Sequence, residues 1–296
     1  MFLMSIAFAF VSCKPEETEL GFKPSIGSKY RMTVNSSQKM DRESNGENVA
    51  TTNIADYTLL YETTKSEGDF TAVKMIFERM KTVDKSMGSE AVMDSENKDT
   101  LDPISKIVAS IKGAEFTMDI NKQGEVKNMQ GMDGLTKRMV DAAGKNLSPA
   151  QAAQMGESLK SVMSDDMLRS MTEQSFKIFP YKKVRVGDSW VASTKTKSIV
   201  DMIVTTTYTL QKIENGTATL GVSSVITPDG GEKVMDGQRV QQTLSGSQTG
   251  TMEVELASGM TMHASINQKS TGQLRTDSLQ MNIVIDGTTS IGTVKL

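Results

Sequence analysis

From Gly27 onward the chain is dominated by alternation of apolar and polar residues, the period-two mark of half-buried strands. Tyr30, Met32 and Val34 alternate with polar neighbours, as do Tyr57, Leu59 and Tyr61, then Val73, Met75 and Phe77, then Phe116, Met118 and Ile120. Met252, Val254 and Leu256 face one way while Thr251, Glu253 and Glu255 face the other; Met260, Met262, Ala264 and Ile266 follow, and then Met281, Ile283 and Ile285. Strands with one apolar and one polar face suit an antiparallel sheet wetted on one side. Turn signals separate the runs. Asn45-Gly46 and Asn215-Gly216 are strong hairpin turns, because both central positions of a type I′ turn need positive φ. The pattern predicts about ten or eleven strands, a number that favours a strongly curved sheet over a flat one.

Two halves of the chain share a plan. Gly27–Tyr30 opens one and Gly187–Trp190 the other. Each opener leads to a strand, a long hairpin (turns at Glu67-Gly68-Asp69 and Glu214-Asn215-Gly216) and a second hairpin, Ala114–Met129 or Thr249–Gln268.

Helical signals are confined to the middle. Asp102-Pro103 starts a short helix, with Pro at the favoured first position. A second helix runs from about Asp133 to Gly144, and a third starts at Ser148-Pro149 with Ser as N-cap. Its apolar stripe is Ala152, Met155, Leu159, Val162 and Met163. Ser164-Asp165-Asp166 opens a fourth, carrying Met167, Leu168 and Met171, and Phe179-Pro180 ends the block. The apolar face of a curved sheet needs a cover, and this block is what the chain offers. The expected fold is therefore α+β: a strongly curved antiparallel half-barrel, with a helical block covering its concave face. It would form a single domain over 27–296, with a helical insert at about 131–176.

The chain begins with an apolar run, Met1 to Val11, then Ser12-Cys13 and Lys14-Pro15-Glu16-Glu17. Cys13 is the single cysteine among 296 residues. The run resembles a bacterial lipoprotein signal peptide, which implies cleavage before Cys13 and a lipid on it. It lacks the basic start usual in secretory signals. It is also much shorter than the ~20 apolar residues a span requires. A truncated anchor or a buried N-terminal strand with a free cysteine are the alternatives. The lipoprotein reading makes 1–12 the signal peptide and 13–26 a flexible tether, charged, Pro-containing and short of apolar groups.

Composition excludes more than it identifies. A net charge of -3 supplies no basic field for a phosphate backbone, so no nucleic-acid partner is expected. One histidine, His263, is the single candidate a catalytic triad could use, and one histidine with one cysteine cannot form the clusters of usual zinc sites. His263 falls on the polar face of its strand beside Thr261 and Ser265, with no partner for acid–base work. Asp94-Ser-Glu96-Asn-Lys-Asp99 lacks the glycine of a calcium loop and reads as a solvated loop; Asp165-Asp166 reads as acids at a helix start. No catalytic residue, metal or cofactor is expected.

Two features have both a functional and a bland interpretation. Methionine is abundant, with 22 residues, six of them from Met132 to Met171. A flexible, polarizable stripe suits an adaptable apolar pocket, although such a stripe is usually plain core. Met155, Leu159, Met163 and Met171 are the lining such a pocket would use. Trp190 is either an aromatic wall of that pocket or an anchor at a strand start.

Three segments resemble a family of uncharacterised lipoproteins from Bacteroidota: Phe10-Val11-Ser12-Cys13, Phe179-Pro180 through Val186-Gly187-Asp188-Ser189-Trp190, and Gly250-Thr-Met-Glu-Val-Glu-Leu-Ala-Ser-Gly-Met260. The architecture is similar, at fold level, to lipoprotein carriers of the LolA and LppX type, open half-barrels lined with apolar groups and closed by helices. The resemblance implies an outer-membrane protein, anchored through Cys13, on the periplasmic or the surface face. The leading expectation is a non-enzymatic envelope protein that binds a lipid, acyl chain or lipidated partner between sheet and helices. The rival is a structural or interaction lipoprotein of an envelope complex, with a solid core and no ligand. Several hundred cubic ångströms of apolar space would favour the first, and a filled interior the second.

Overall fold

The structure is a computed structural model, and it describes residues 16–44, 46–97, 102–143, 148–162, 165–196, 201–230, 232–235, 238–276 and 280–296. Fourteen strands and four helices lie among them. The strands are β1 (Lys29–Ser44), β2 (Glu47–Glu67), β3 (Phe70–Ser86), β4 (Ser89–Asp94), β5 (Glu115–Asn121), β6 (Val126–Gln130), β7 (Ser189–Thr196), β8 (Met202–Glu214), β9 (Thr217–Pro228), β10 (Glu232–Met235), β11 (Gln238–Gln242), β12 (Ser245–Glu255), β13 (Thr261–Arg275) and β14 (Gln280–Lys295). The helices are α1 (Pro103–Ala109), α2 (Met132–Ala143), α3 (Pro149–Val162) and α4 (Asp165–Phe176).

All strands join one antiparallel sheet, in the order β6-β5-β3-β2-β1-β14-β13-β12-β9-β8-β7; β4 extends the far end of β3, and β11 with β10 extends that of β13. The sheet is not closed, and β6 and β7 are the edges of the main path. Walked from β7, two five-strand runs, β7-β8-β9-β12-β13 and β1-β2-β3-β5-β6, read in the same direction with β14 between them. The first and last strands thus pair with each other in the middle of the sheet.

The helices form where their signals stood. Asp102 caps α1, its carboxylate accepting from the backbone N–H of Ile104 and Ser105 and from the Ser105 hydroxyl. Asn215 and Gly216 both have positive φ in the β8–β9 turn, as a type I′ pair requires. α2 packs on α1, and α3 on α2.

α4 meets both edge strands. Glu173 Oε1 accepts from the N–H of Val126 in β6 at 3.1 Å, and Gln174 donates to the Thr196 hydroxyl in β7 at 3.0 Å. Two adjacent residues of one helix therefore satisfy groups on opposite ends of the sheet. At the C-terminal end of α4, Phe176 reaches into the interior, edge-on to Tyr61 of β2 at 5.5 Å between ring centroids. Gly124 in the β5–β6 turn makes this approach possible: at φ +86 a Cβ there would sit 1.7 Å from the Phe176 carbonyl oxygen.

The tether expected over 13–26 is instead built into the fold from Thr18 onward. Thr18 and Val184 exchange backbone hydrogen bonds of 2.8 and 2.9 Å. The strap then crosses the end of the sheet where β1 begins. Phe22 N–H donates to the Lys122 carbonyl, Lys23 N–H to Ser258 and Gly27 N–H to Thr63. Leu20 and Phe22 are core residues, Phe22 only 2% exposed and edge-on to Phe176 at 5.1 Å. Two apolar side chains six and eight residues into a charged stretch are enough to outweigh its solubility, since each fully buried one is worth ~1.5–3 kcal/mol.

Candidate binding site on the concave face

The inward residues of the strands form rows across the sheet, because each register is shared with the next strand. One row runs Leu210, Leu220, Met252, Ala264, Ile291, Val34, Tyr57, Met80, from β8 to β3. Leu210, Leu220, Met252 and Ala264 belong to the core, Ile291, Val34 and Met80 pack against it, and Tyr57 is half-buried. Another runs Thr206, Ser224, Gln248, Gln268, Gly287, Gln38, Asn53, Asp84 across the same eight strands. Seven of its eight members are polar and the eighth is glycine. Thr206 and Ser224 are buried, and the others half-buried.

The polar row satisfies itself sideways. Thr206 and Ser224 share a hydrogen bond of 2.9 Å, Gln248 donates to Gln268 Oε1 at 3.0 Å, and Asn53 donates to Asp84 Oδ1 at 2.6 Å. The Gln38 side chain lies over Gly287, where a Cβ would stand 3.2 Å from its Cγ. These cross-strand bonds are the sheet's equivalent of side-chain pairs along a helix.

A cavity of about 80 Å³ opens where the polar row passes beneath α4. It is lined by Gln174 and Lys177, by Thr194, Thr206, Tyr208, Ser224 and Gln248, and by the apolar Ala192, Val204, Val222, Met252 and Ile266. Burial pushes the Tyr208 phenol up to about 12, so it stays a neutral donor. The volume is far below the ~300–1,000 Å³ of ordinary small-molecule sites. With these polar groups it suits a few ordered waters.

The expected lining residues are not brought together here. Trp190 is buried and stacked on Tyr208, with centroids 6.0 Å apart, and its indole N–H donates to the Ile178 carbonyl at 2.8 Å. It anchors the start of β7 on the segment after α4. Met171 is 50% exposed. Leu159 packs at the margin of the core and Met155 is half-buried, on a helix that rests on α2. A helix stripe is buried by whatever lies beside it, and here that is another helix. Met163 and Cys13 lie outside the described residues. His263 is exposed, on the face away from Met262 and Ala264. Among the described residues no group of His, Cys, Asp and Glu is placed to hold a metal, and no helix is long and apolar enough to cross a membrane.

The polar row was missed from sequence, although a signal existed. In β1 the inward parity reads Tyr30, Met32, Val34 and then Ser36, Gln38; in β13 it reads Met262, Ala264, Ile266 and then Gln268, Ser270. The alternation persists while its apolar members turn polar.

Residues 68–261 match the model of a family of unknown function, DUF6263. The chain belongs to that family. None of the curated proteins matches it. Among solved structures, a lipovitellin chain, from a study of its lipid–protein interactions, is 9% identical with a TM-score of 0.48, over 91% of this chain and 25% of that one. This chain therefore spans about a quarter of the lipovitellin chain. An outer membrane channel from Pseudomonas putida F1 is 7% identical, TM-score 0.29, over 92% and 97% of the two chains. OccK7 (OpdD) of Pseudomonas aeruginosa is 8% identical, TM-score 0.27, over 91% and 100%. Scores this low carry no argument about what a DUF6263 protein binds.

Proposed function

We propose that this DUF6263 chain is a non-enzymatic, lipid-anchored protein of the bacterial cell envelope that works through its surface, as an interaction or structural module, rather than by carrying a lipid inside. The observation that carries the reading is the filled concave face. Large side chains from every layer meet there, Phe22 of the strap, Phe176 at the end of α4, and Tyr30, Met32, Phe116, Met118, Ile120, Leu210 and Leu220 of the sheet. The space left under α4 is about 80 Å³, too small for an acyl chain.

The anchor rests on the Ser12-Cys13 sequence and the outer-membrane location on the resemblance to Bacteroidota lipoproteins. The helices complete the half-barrel as a fixed cover, with α4 tied to both sheet edges, and the two five-strand runs fit a duplicated ancestor.

Purification from native membranes followed by lipid mass spectrometry tests the reading. The expected result is lipid attached covalently to the Cys13 peptide and no stoichiometric lipid released by mild organic extraction. One extractable lipid per chain, competing with a fluorescent fatty-acid probe, would restore the carrier reading.

A further inference from the structure

We infer that the outer face of the sheet carries a shallow binding site for a neutral pyranose sugar, where β2, β3, β5 and β6 run side by side to the sheet edge. The inference goes beyond the interaction reading above and stands whether or not the chain carries a lipid.

The site begins as a gap in a layer of side chains. One row on the outer face runs Lys65, Ala72, Asp119, Lys127 across the four strands. The Ala72 methyl stands among longer charged neighbours and leaves a floor. Phe70, two residues earlier on the same face, supplies an aromatic wall, and Glu67 and Asn128 complete the lining. The cleft holds about 310 Å³, at the lower end of ordinary small-molecule sites. The core lies on the opposite face, where Val73, Met118 and Ile120 are buried.

Two bulges flank the cleft. Pairing slips between Thr63 and Lys65 of β2, and between Thr117 and Asp119 of β5. Lys65 and Asp119 are where pairing resumes, and both line the cleft. A bulge bends its strand and re-aims the side chains beside it. Asn128 lies on the strand facing the second bulge, with φ +49 inside β6. Glycine would hold that conformation with less strain. The side chain kept there donates to Asp119 Oδ2 at 2.8 Å and is exposed at the rim.

The chemistry of the lining selects the ligand. It has two ammonium groups, Lys65 and Lys127, and two carboxylates, Glu67 and Asp119, so it favours neither sign of charge. Lys65 pairs with Glu67. Strong donors and strong acceptors alternate around one aromatic ring. A ligand that answers all of them has hydroxyls that both donate and accept, and an apolar C–H face to lay on the ring. A pyranose has both. The Lys127 ammonium now stands over Phe70, 4.8 Å from the ring centroid. Lys127 is exposed, and a cation–π contact at an exposed site is weak, so a sugar ring can take its place.

The test is NMR on the full chain, titrated to about 100 mM with the methyl glycosides of glucose, galactose, mannose and N-acetylglucosamine. At least one should shift the Asn128 side-chain amide and the Phe70 ring saturably. Asn128→Gly suits the positive φ, so the remaining backbone spectrum should be unchanged while affinity falls at least ten-fold. No saturable shift at either residue of the parent chain, with any of the four sugars, overturns the site. Affinity that survives in Asn128→Gly places the sugar elsewhere and overturns it as well. Glucuronate binding ten-fold tighter than methyl glucoside would make the lysines a carboxylate site and overturn the neutral-sugar assignment.

Discussion

Two rows of eight residues cross the same eight strands, on the same face, four residues apart along every strand. At ~3.3 Å per residue that is about 13 Å. One is the apolar row from Leu210 to Met80, and the other the polar row from Thr206 to Asp84. Backbone, pleat and facing are shared, so none of them accounts for the difference. What differs is the cover. The apolar row lies toward the end crossed by the strap, with Leu210 and Leu220 fully buried; the polar row passes beneath α4 and a small cavity. Strand alternation therefore reports which way a side chain points. The composition of each row reports how much lies on top of it.

That contrast can be broken at the strap. Gly259 has φ +74, and a Cβ there would meet the Gly21 carbonyl oxygen at 2.2 Å and the Phe22 Cα at 2.8 Å. Gly259→Ala should have the largest effect of all, preventing the strap from seating; thermal unfolding should show a loss greater than that of Phe22→Ala. Phe22→Ala follows, at ~3–5 kcal/mol for a fully buried ring. Urea unfolding that moved by under ~1 kcal/mol would mean that the strap is not what keeps the apolar row dry.

The polar row gives the next effect. Gln248→Leu leaves Gln268 without its donor and should cost ~1–3 kcal/mol. The Gln248→Leu, Gln268→Leu double variant should cost less than the sum of the two single changes. A strictly additive cycle would show that the pair contributes nothing and that the row is merely wet. The smallest effect serves as a control away from both rows. Hydrogen bonds from Ser105 and the backbone hold the Asp102 carboxyl below its usual range. Its contribution is complete above the ordinary carboxylate pKa and is lost as pH falls through the lowered folded-state value. Amide exchange at Ile104 and Ser105 should quicken under acid while the exchange of Leu210 and Leu220 stays slow.

Much of this was legible in the chain. Apolar alternation located β1, β2, β3, β5, β12, β13 and β14; Asp102-Pro103 and Ser148-Pro149 located helix starts; Asn215-Gly216 located the β8–β9 hairpin. Each is a local signal, written within a few residues. The strap was not legible, because Leu20 and Phe22 are two apolar residues in a charged segment and their burial depends on Phe176, Lys122 and Ser258, all distant in sequence. Nor was the fate of the helix stripe. Met155 and Leu159 carry the right periodicity, but periodicity does not say whether the neighbour is a sheet or α2. The polar row was written as plainly as the apolar one and lost only because polar inward positions were taken for the end of the signal.

The pairing of β1 with β14 gives this protein an awkward youth. Ser36 and its partner Thr289 are 253 residues apart, so the seam at the centre of the sheet is among the last places to form as the chain is made. Until then β1 presents a sixteen-residue open edge, a template for pairing with any other chain. Non-local closure of this kind is also slow. A chain made N-terminus first would thus spend its most aggregation-prone interval between the arrival of β1 and that of β14, and the helper it needs most is one that holds a bare strand edge.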